Sequence, residues 1–212
     1  MYNMIVFDMD GTLLNGRTIF RIAEKKGFLD QLQKVINDSI EPYQKSIKIA
    51  TFLKGLKKSE IMSIFRGIPF RPHVVEMVKL LREHGFIMAV ATDSYDIVAN
   101  DVKKRLRFHH SFANTLLFHD DICTGDIKLH NINHIKDEVT QQIYSICKSC
   151  VVDTLSKNYN MPYNKIIAVG DGTVDCSMLQ KAGLGIAAFA SDYVNSHADI
   201  ITSDLQILKN YI

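Results

Sequence analysis

Carboxylates follow two short apolar runs of this chain, in a pattern that suits a metal ion. Asp8 and Asp10 come after the first apolar run, and Asp171 follows a later one, with Asp175 four residues further on. Carboxylates at the end of a buried strand are costly unless a cation lies nearby. If the two strands are neighbours, the carboxylates converge at one edge of a sheet. Their hard oxygen ligands then predict a divalent cation there, with Mg²⁺ the best match.

A hydroxyl and an ammonium group are expected to complete this site by binding a phosphate. Thr92, with Asp93 after it, ends a third apolar run and offers a hydroxyl and backbone N–H groups to an anion. Two lysines, Lys148 and Lys157, precede the strand of Asp171. The helix leading into a parallel strand begins at the edge where the strands end, and Lys148 lies at that start. Lys157 lies roughly 13 Å further along the helix, so we predict Lys148 as the phosphate ligand.

The apolar runs indicate the sheet that must position these residues. They are short and rich in Ile, Val and Phe, which is typical of buried parallel strands. The expected strands are 4–7, 86–91, 112–118 and 166–169, with 184–189 and 200–201 as further candidates. Helical patterns at 74–83, 96–106 and 150–159 alternate with them. This alternation predicts a doubly wound α/β core with a parallel sheet and helices on both faces.

The segment 17–70 breaks this alternation. It contains helical stretches at 17–26, 29–37, 44–53 and 59–65, separated by Gly and Pro, and no convincing strand. We therefore predict a small helical cap at 17–70, inserted after the first strand. The α/β core would comprise 1–16 and 71–212.

Composition narrows the class of protein. The chain has 212 residues, 47% of them hydrophobic, and a formal net charge of +2. This near balance argues against a nucleic-acid or acidic-membrane partner. The apolar runs are too short to span a bilayer, and the first residues do not resemble a signal peptide. The four cysteines are too few for a disulfide scaffold, so we expect a reduced, cytoplasmic protein.

One further cluster has the ligand types of a zinc site. His130 and His134 are followed by Cys147 and Cys150, in the reverse order of a Cys₂His₂ site. Histidine is abundant elsewhere in the chain, however, and Lys148 between the two cysteines must face the phosphate. The sequence therefore favours a surface insertion over a zinc site.

Taken together, these motifs resemble those of the haloacid dehalogenase (HAD) superfamily of phosphatases. The resemblance lies in four features in order: Asp-x-Asp-Gly-Thr after a strand, a Thr ending a second strand, a Lys starting a helix, and Gly-Asp-Gly-x-x-Asp. The closer resemblance is to the phosphoserine phosphatase branch. It extends over most of the chain and includes 111–116, 124–126, 169–179 and 182–187.

The resemblance implies that a small-molecule phosphomonoester is hydrolysed by a two-step phosphoryl transfer. Asp8 would attack phosphorus and form an aspartyl-phosphate. Asp10 would protonate the leaving oxygen and then activate the hydrolytic water. Mg²⁺ would be held by the Asp8 carboxylate, the Asp10 backbone carbonyl and Asp171. Thr92 and Lys148 would hold the phosphoryl oxygens. Asp175 would position Lys148 or a metal-bound water.

The sequence departs from this branch where the substrate would be recognised. Arg17 stands where the branch has an acidic residue for the substrate ammonium. Ile49 aligns with its substrate-binding arginine, with Lys45 and Lys48 nearby. Because Arg17 attracts anions, we expect a phosphomonoester with a second anionic or polar group rather than phosphoserine.

Two alternatives to a hydrolase remain at this stage. A phosphotransferase would pass the phosphoryl group to an acceptor other than water. A non-catalytic phospho-acceptor module would keep it on Asp8, but Asp10, two residues away, is placed for turnover and argues against this.

Overall fold

The computed structural model describes residues 1–212 and contains one seven-stranded sheet. The strand order is β4-β3-β2-β1-β5-β6-β7, and every neighbouring pair is parallel except β3 and β4. The strands are β1 Met4–Phe7, β2 Ile87–Tyr95, β3 His110–His119, β4 Ile122–Lys128, β5 Ile166–Gly170, β6 Leu184–Ala188 and β7 Ile200–Thr202. The expected doubly wound α/β sheet is thus confirmed.

Helices cover both faces of this sheet. They are α1 Thr18–Lys26, α2 Leu29–Ile36, α3 Pro42–Thr51, α4 Lys58–Arg66, α5 Val74–Glu83, α6 Asp96–Leu106, α7 Lys148–Asn158, α8 Cys176–Lys181 and α9 Asp192–Asn195. The side chains of β1 alternate between two apolar clusters: Ile5 and Phe7 belong to one, Met4 and Val6 to the other. Since both faces of β1 are buried, its sequence is apolar throughout, as in central parallel strands.

The register of the central strands sets the position of the residues that follow them. Phe7 of β1 lies opposite Val169 of β5 and Val90 of β2. The backbone N–H of Asp8 also donates to the Val169 carbonyl at 2.8 Å. The residues just after these three strands therefore meet at the same edge of the sheet.

Four helices, α1 to α4, lie between β1 and α5, with no strand among them. The chain leaves and re-enters the core side by side, because Asn15 N–H donates to the Pro69 carbonyl and Arg71 N–H to the Leu13 carbonyl, both at 2.9 Å. The division into a cap at 17–70 and a core remains a prediction.

The structure differs from the sequence-based expectations at the edge of the sheet. Strand β2 continues to Tyr95, so Thr92 lies within the strand rather than at its end. Strand β4 was not predicted and forms an antiparallel hairpin with β3. Its turn residues Asp120 and Asp121 have φ angles of 48° and 62°, the left-handed pair that a tight hairpin requires. Only Cys123 and Gly125 of β4 are buried, so the strand lacks the apolar run that marks a buried strand.

None of the helices combines the length and the apolar composition needed to cross a membrane.

Candidate active site

A lysine buried between two carboxylates lies at the carboxyl edge of the sheet. The Lys148 Nζ is 2.5 Å from Asp8 Oδ1 and 2.5 Å from Asp175 Oδ1, and the Lys148 side chain is 0% exposed. Lys148 is the first residue of α7, whereas Lys157 is exposed at the other end of that helix. Of the two candidate lysines, the structure brings Lys148 to the carboxylates.

Asp171 adds a third carboxylate to this edge. Its Oδ1 accepts a hydrogen bond from the Thr12 hydroxyl at 2.8 Å, and its Oδ2 pairs with Arg17 at 3.0 Å. Oxygen atoms of Asp8, Asp171 and Asp175 all lie within 4.8 Å of one another. Gly11 makes this approach possible, since a Cβ there would lie 2.4 Å from Asp171 Oδ2.

Asp175 supports the cluster from behind. One carboxylate oxygen contacts Lys148, and the other accepts the backbone N–H groups of Asp171 and Gly172 at 3.1 and 2.9 Å. A Cβ on Gly170 would lie 2.5 Å from the Asp175 carboxyl carbon, so only glycine fits there. Because both of its oxygens are engaged, Asp175 is placed to orient Lys148 and the turn after β5.

Asp10 points away from this cluster and is held by the start of α1. The Thr18 hydroxyl donates to Asp10 Oδ1 at 2.6 Å, and the Thr18 backbone N–H donates to Oδ2 at 3.0 Å. Burial raises the pKa of Asp10 to about 7, against the lowering effect of these two hydrogen bonds. A carboxyl group with a pKa near neutrality can both give and take a proton at physiological pH.

Burial and mutual repulsion raise the pKa values of two other carboxylates, Asp8 and Asp171. Burial raises the pKa of Asp8 well above its usual range, and Asp175 and Asp171 add to the rise while Lys148 opposes it. Burial and Asp175 likewise raise the pKa of Asp171. Burial alone would lower the pKa of Lys148, but Asp175 and Asp8 outweigh it and raise that pKa. The lysine is therefore charged, but its single positive charge does not offset the burial and mutual repulsion of the neighbouring carboxylates.

This charge and donor set fit a hard divalent cation. Lys148 engages only Oδ1 of Asp8, which leaves Oδ2 for another partner. Asp8 and Asp171 supply carboxylate oxygens, the ligand type that Mg²⁺ prefers. The carboxylate of Asp10 is bound to Thr18, so only the backbone carbonyl of Asp10 remains for a metal, as the resemblance implies.

Thr92 is fully buried on β2, two residues beyond Val90, which pairs with the last residue of β1. Its hydroxyl accepts the Ser94 backbone N–H at 3.2 Å. The neighbouring Asp93 is exposed and lines a small cavity of about 80 Å³ together with Asp10. Asn114 of β3 donates to the Asp93 carbonyl at 2.7 Å and so holds this stretch of backbone.

A larger cavity of about 560 Å³ lies between the sheet edge and the inserted helices. Arg17, Lys45 and Ile49 line it from the helical side, and Asp93 and Asp171 from the sheet. The Lys45 ammonium donates to the Ile36 carbonyl at 2.7 Å.

Lys48 does not reach this cavity. It pairs instead with Asp38 on the surface, at 2.9 Å. Of the two lysines named beside Ile49 in the sequence, only Lys45 therefore faces the cavity.

The expectation that all four cysteines are reduced is wrong for one pair. Cys147 and Cys150 form a disulfide, while Cys123 and Cys176 are free and buried. The spacing of these two residues around the first turn of α7 brings their sulfur atoms together, which composition alone does not reveal.

The structure does not form the zinc arrangement considered from the sequence, because the two cysteine sulfur atoms are joined to each other. These sulfur atoms are not thiolates, the form that binds zinc. His134 stacks on Tyr43 with ring centroids 4.5 Å apart, and His130 packs edge-on against Phe112 at 5.9 Å. The surface insertion that the sequence favours stays a prediction.

Three supporting residues escaped the sequence reasoning. Thr12 and Thr18 donate to Asp171 and Asp10, and Arg71 donates to the Gly11 carbonyl at 2.6 Å. Thr12 belongs to the Asp-x-Asp-Gly-Thr motif and could have been found there. Thr18 and Arg71 carry no local signal, since their contacts form only when the inserted helices return to the core.

Comparisons with known proteins name the class to which this fold and site belong. A model of the haloacid dehalogenase-like hydrolase family matches residues 5–180. The chain belongs to this family.

Individual relatives point to one branch of the family. The phosphoserine phosphatase of Methanocaldococcus jannaschii is 31% identical over 216 residues, covering 99% of this chain and 97% of the relative. A solved phosphoserine phosphatase with bound substrate superposes with a TM-score of 0.85 at 28% identity, covering 100% of this chain and 99% of that one. A phospho-aspartyl intermediate analogue of phosphoserine phosphatase gives 0.84 at 28% identity, with the same coverage. The protein is thus a phosphoserine phosphatase-like hydrolase and a phosphatase enzyme.

Proposed function

We propose that this enzyme hydrolyses a small phosphomonoester through an aspartyl-phosphate on Asp8 and depends on Mg²⁺. The observation that carries this proposal is the Lys148 ammonium held 2.5 Å from both Asp8 and Asp175. A buried cation fixed beside a carboxylate with a free oxygen suits attack on a phosphoryl group whose charge must be neutralised.

The reaction follows from the arrangement of the side chains. Asp8 Oδ2 attacks phosphorus while Lys148 and the Thr92 hydroxyl bind the phosphoryl oxygens. Asp10, whose pKa is raised to about 7, gives its proton to the leaving alcohol oxygen. The resulting Asp10 carboxylate then takes a proton from the water that hydrolyses the aspartyl-phosphate. Asp175 keeps Lys148 in place during both steps.

A bound Mg²⁺ would supply electrostatic stabilisation of the transferring phosphoryl group. The residues proposed to hold it are Asp8 and Asp171 through their carboxylates and Asp10 through its backbone carbonyl. Arg17 now pairs with Asp171, and a cation at Asp171 would weaken that pairing. The guanidinium of Arg17 would then be available to the substrate.

The helices at 17–70 act in this proposal as a cap that closes over the substrate and limits the access of water. The core is then formed by 1–16 and 71–212. Support comes from the cavity between them, which has cap residues on one side and Asp171 on the other.

The substrate is proposed to carry a second anionic or polar group rather than the ammonium of phosphoserine. Arg17 and Lys45 bring positive charge to the cavity, and Ile49 brings none. Such phosphorylated metabolites belong to the cytoplasm, where we propose that the enzyme works.

The test is Mg²⁺-dependent phosphate release from a generic aryl phosphate and a panel of phosphometabolites. Asp8→Asn should abolish release, by about 10,000-fold or to background, while the exposed Asp126→Asn should not. Release by the wild type that survives in Asp8→Asn would refute the nucleophile. Absence of release with transfer to an added alcohol would instead identify a phosphotransferase.

A further inference from the structure

The disulfide between Cys147 and Cys150 encloses the lysine of the site. Cys147 is the N-cap residue of α7, and Lys148 and Cys150 lie in its first turn. Lys148 is thus one of two residues inside the smallest ring that this cross-link closes. Its ammonium is also the group that contacts both Asp8 and Asp175.

The two sulfur atoms differ in their surroundings. Cys150 is partly exposed, whereas Cys147 is 9% exposed. The Cys147 sulfur accepts the Cys150 backbone N–H at 3.3 Å and lies 3.5 Å from the Ser149 hydroxyl. An external thiol therefore reaches Cys150 more easily, and the sulfur displaced from it has hydrogen-bond donors in place.

We propose that Cys147 and Cys150 form a redox-active disulfide that exchanges with an external dithiol and controls phosphoryl transfer through Lys148. A thiolate of the dithiol attacks Cys150 Sγ, the Cys150–Cys147 bond breaks, and Cys147 leaves as a thiolate. The second thiol of the reagent then attacks the mixed disulfide and releases Cys150, which takes a proton. The dithiol becomes a disulfide, and the protein disulfide becomes two thiols.

The position of Cys147 favours this exchange. A thiolate at the N-terminus of a helix is stabilised by the helix dipole and by backbone N–H groups. A thiol that is stabilised as an anion is a good leaving group in disulfide exchange. A disulfide in a cytoplasmic protein is typically of this transient, redox-sensing kind rather than a structural one.

Reduction changes the setting of Lys148 in two ways. It removes the covalent link between Cys147 and Cys150, which flank Lys148 and Ser149. It also brings a thiolate to the helix end at which a phosphate must bind. Both effects lower phosphoryl transfer, because small displacements of a positioned group cost large factors in rate. The oxidised form is therefore the more active one, an effect that rests on the proposed phosphatase function.

The exchange itself is tested without any activity measurement. The native protein is equilibrated with glutathione buffers of graded redox potential and quenched with acid. It is then alkylated in denaturant, so that the buried cysteines also react, and examined by mass spectrometry. We expect two of the four cysteines to be modified under oxidising conditions and all four under reducing ones, with Cys147 and Cys150 accounting for the difference. Four modified cysteines in every buffer would overturn the proposal.

The coupling is tested by hydrolysis of an aryl phosphate before and after treatment with dithiothreitol. We expect reduction to lower kcat by about 3- to 30-fold and reoxidation to restore it. The kcat of the double variant Cys147→Ser/Cys150→Ser should equal that of the reduced enzyme and should not change with dithiothreitol. Its thermal melt verifies that the variant folds.

The variant Cys123→Ala, which changes a free cysteine of β4, should keep the full response to dithiothreitol. Equal kcat values for the oxidised and reduced wild type would overturn the control of activity. Inactivity of both forms, with alkylation still redox-dependent, would instead refute the proposed phosphatase function and leave the exchange intact.

Discussion

The two sides of the large cavity are built differently. On the sheet side, Asp171 lines the cavity, and beside it Lys148 is buried and bonded to Asp8 and Asp175. The positions of these residues follow from strand and helix ends. On the cap side, Arg17 is 53% exposed and Lys45 bonds only a helix-end carbonyl.

The difference separates chemistry from recognition. A cluster of buried, mutually bonded charges tolerates few substitutions, because removing one member leaves the charge of another buried without a partner. Substitutions that change the charge of exposed side chains on the inserted helices cost little folding free energy. A protein can therefore keep the phosphoryl-transfer site of its relatives and still present different groups to the rest of the substrate.

Removal of the buried lysine should produce the largest effect. Lys148→Met leaves Asp8 and Asp175 without their cation, so we expect loss of about 3–5 kcal/mol in the free energy of unfolding at pH 7. Phosphate release should fall by about 1,000-fold or more. Urea denaturation and an aryl phosphate assay measure the two effects.

Lys157→Met is the matched control on the same helix, since Lys157 is exposed. It should change neither quantity appreciably. If the two variants behaved alike, the buried cluster at the sheet would be no less tolerant of substitution than an exposed surface, and the contrast drawn above would be wrong.

The cap side should respond with a smaller and substrate-dependent change. Arg17→Gln removes the cation beside Asp171, so kcat/KM for phosphorylated carboxylic acids should fall by about 10-fold. Aryl phosphate turnover should change by no more than about 2- to 3-fold, and Arg21→Gln should leave both unaffected. An equal loss on both substrates would make Arg17 part of the phosphoryl-transfer machinery rather than of recognition.

Metal binding should stabilise the protein in a pH-dependent way. Asp8, Asp10 and Asp171 have raised pKa values in the folded state, about 7 for Asp10. The folded protein therefore keeps protons that the unfolded chain has lost above about pH 4. The contribution of these groups to the free energy of unfolding of the metal-free protein is fully present below that pH. It is lost as the pH rises through the folded-state pKa values, about 7 for Asp10.

Mg²⁺ would replace the protons of Asp8 and Asp171, whose carboxylates are proposed to hold it, so its effect on Tm should be larger at pH 7.5 than at pH 5.5. At pH 7.5 we expect a rise of about 5 °C or more at saturating Mg²⁺. Differential scanning fluorimetry at matched ionic strength measures it, with Asp171→Asn as the variant that should lose the rise. A rise that is larger at pH 5.5 would contradict the assignment of these carboxylates to the metal.

The smallest effect is expected where the inserted helices contact the segment before α7. Glu41 Oε2 accepts the Ile143 backbone N–H at 2.9 Å, and Tyr43 N–H donates to the Ile143 carbonyl at 3.0 Å. Glu41→Ala removes one of these two bonds and should raise KM by about 3-fold, the size expected for one hydrogen bond. The exposed Glu24→Ala serves as control in the same steady-state assay, and an altered kcat with constant KM would assign Glu41 to another step.

The sequence alone determined the parts that depend on local periodicity and on chain direction. Apolar runs mark β1 and β5, and parallel strands end at a common edge, so Asp8 and Asp171 are expected at that edge and meet if the two strands are neighbours. The choice of Lys148 over Lys157 followed from the direction of α7.

Only the tertiary structure decided the contacts between distant segments. The Thr18 hydrogen bonds to Asp10 and the pairing of Arg17 with Asp171 each need backbone positions that no local pattern encodes. Strand β4 was missed for a related reason, because an exposed edge strand lacks the apolar signal that burial imposes on central strands. Local sequence thus specifies which elements form, and their packing specifies which side chains meet.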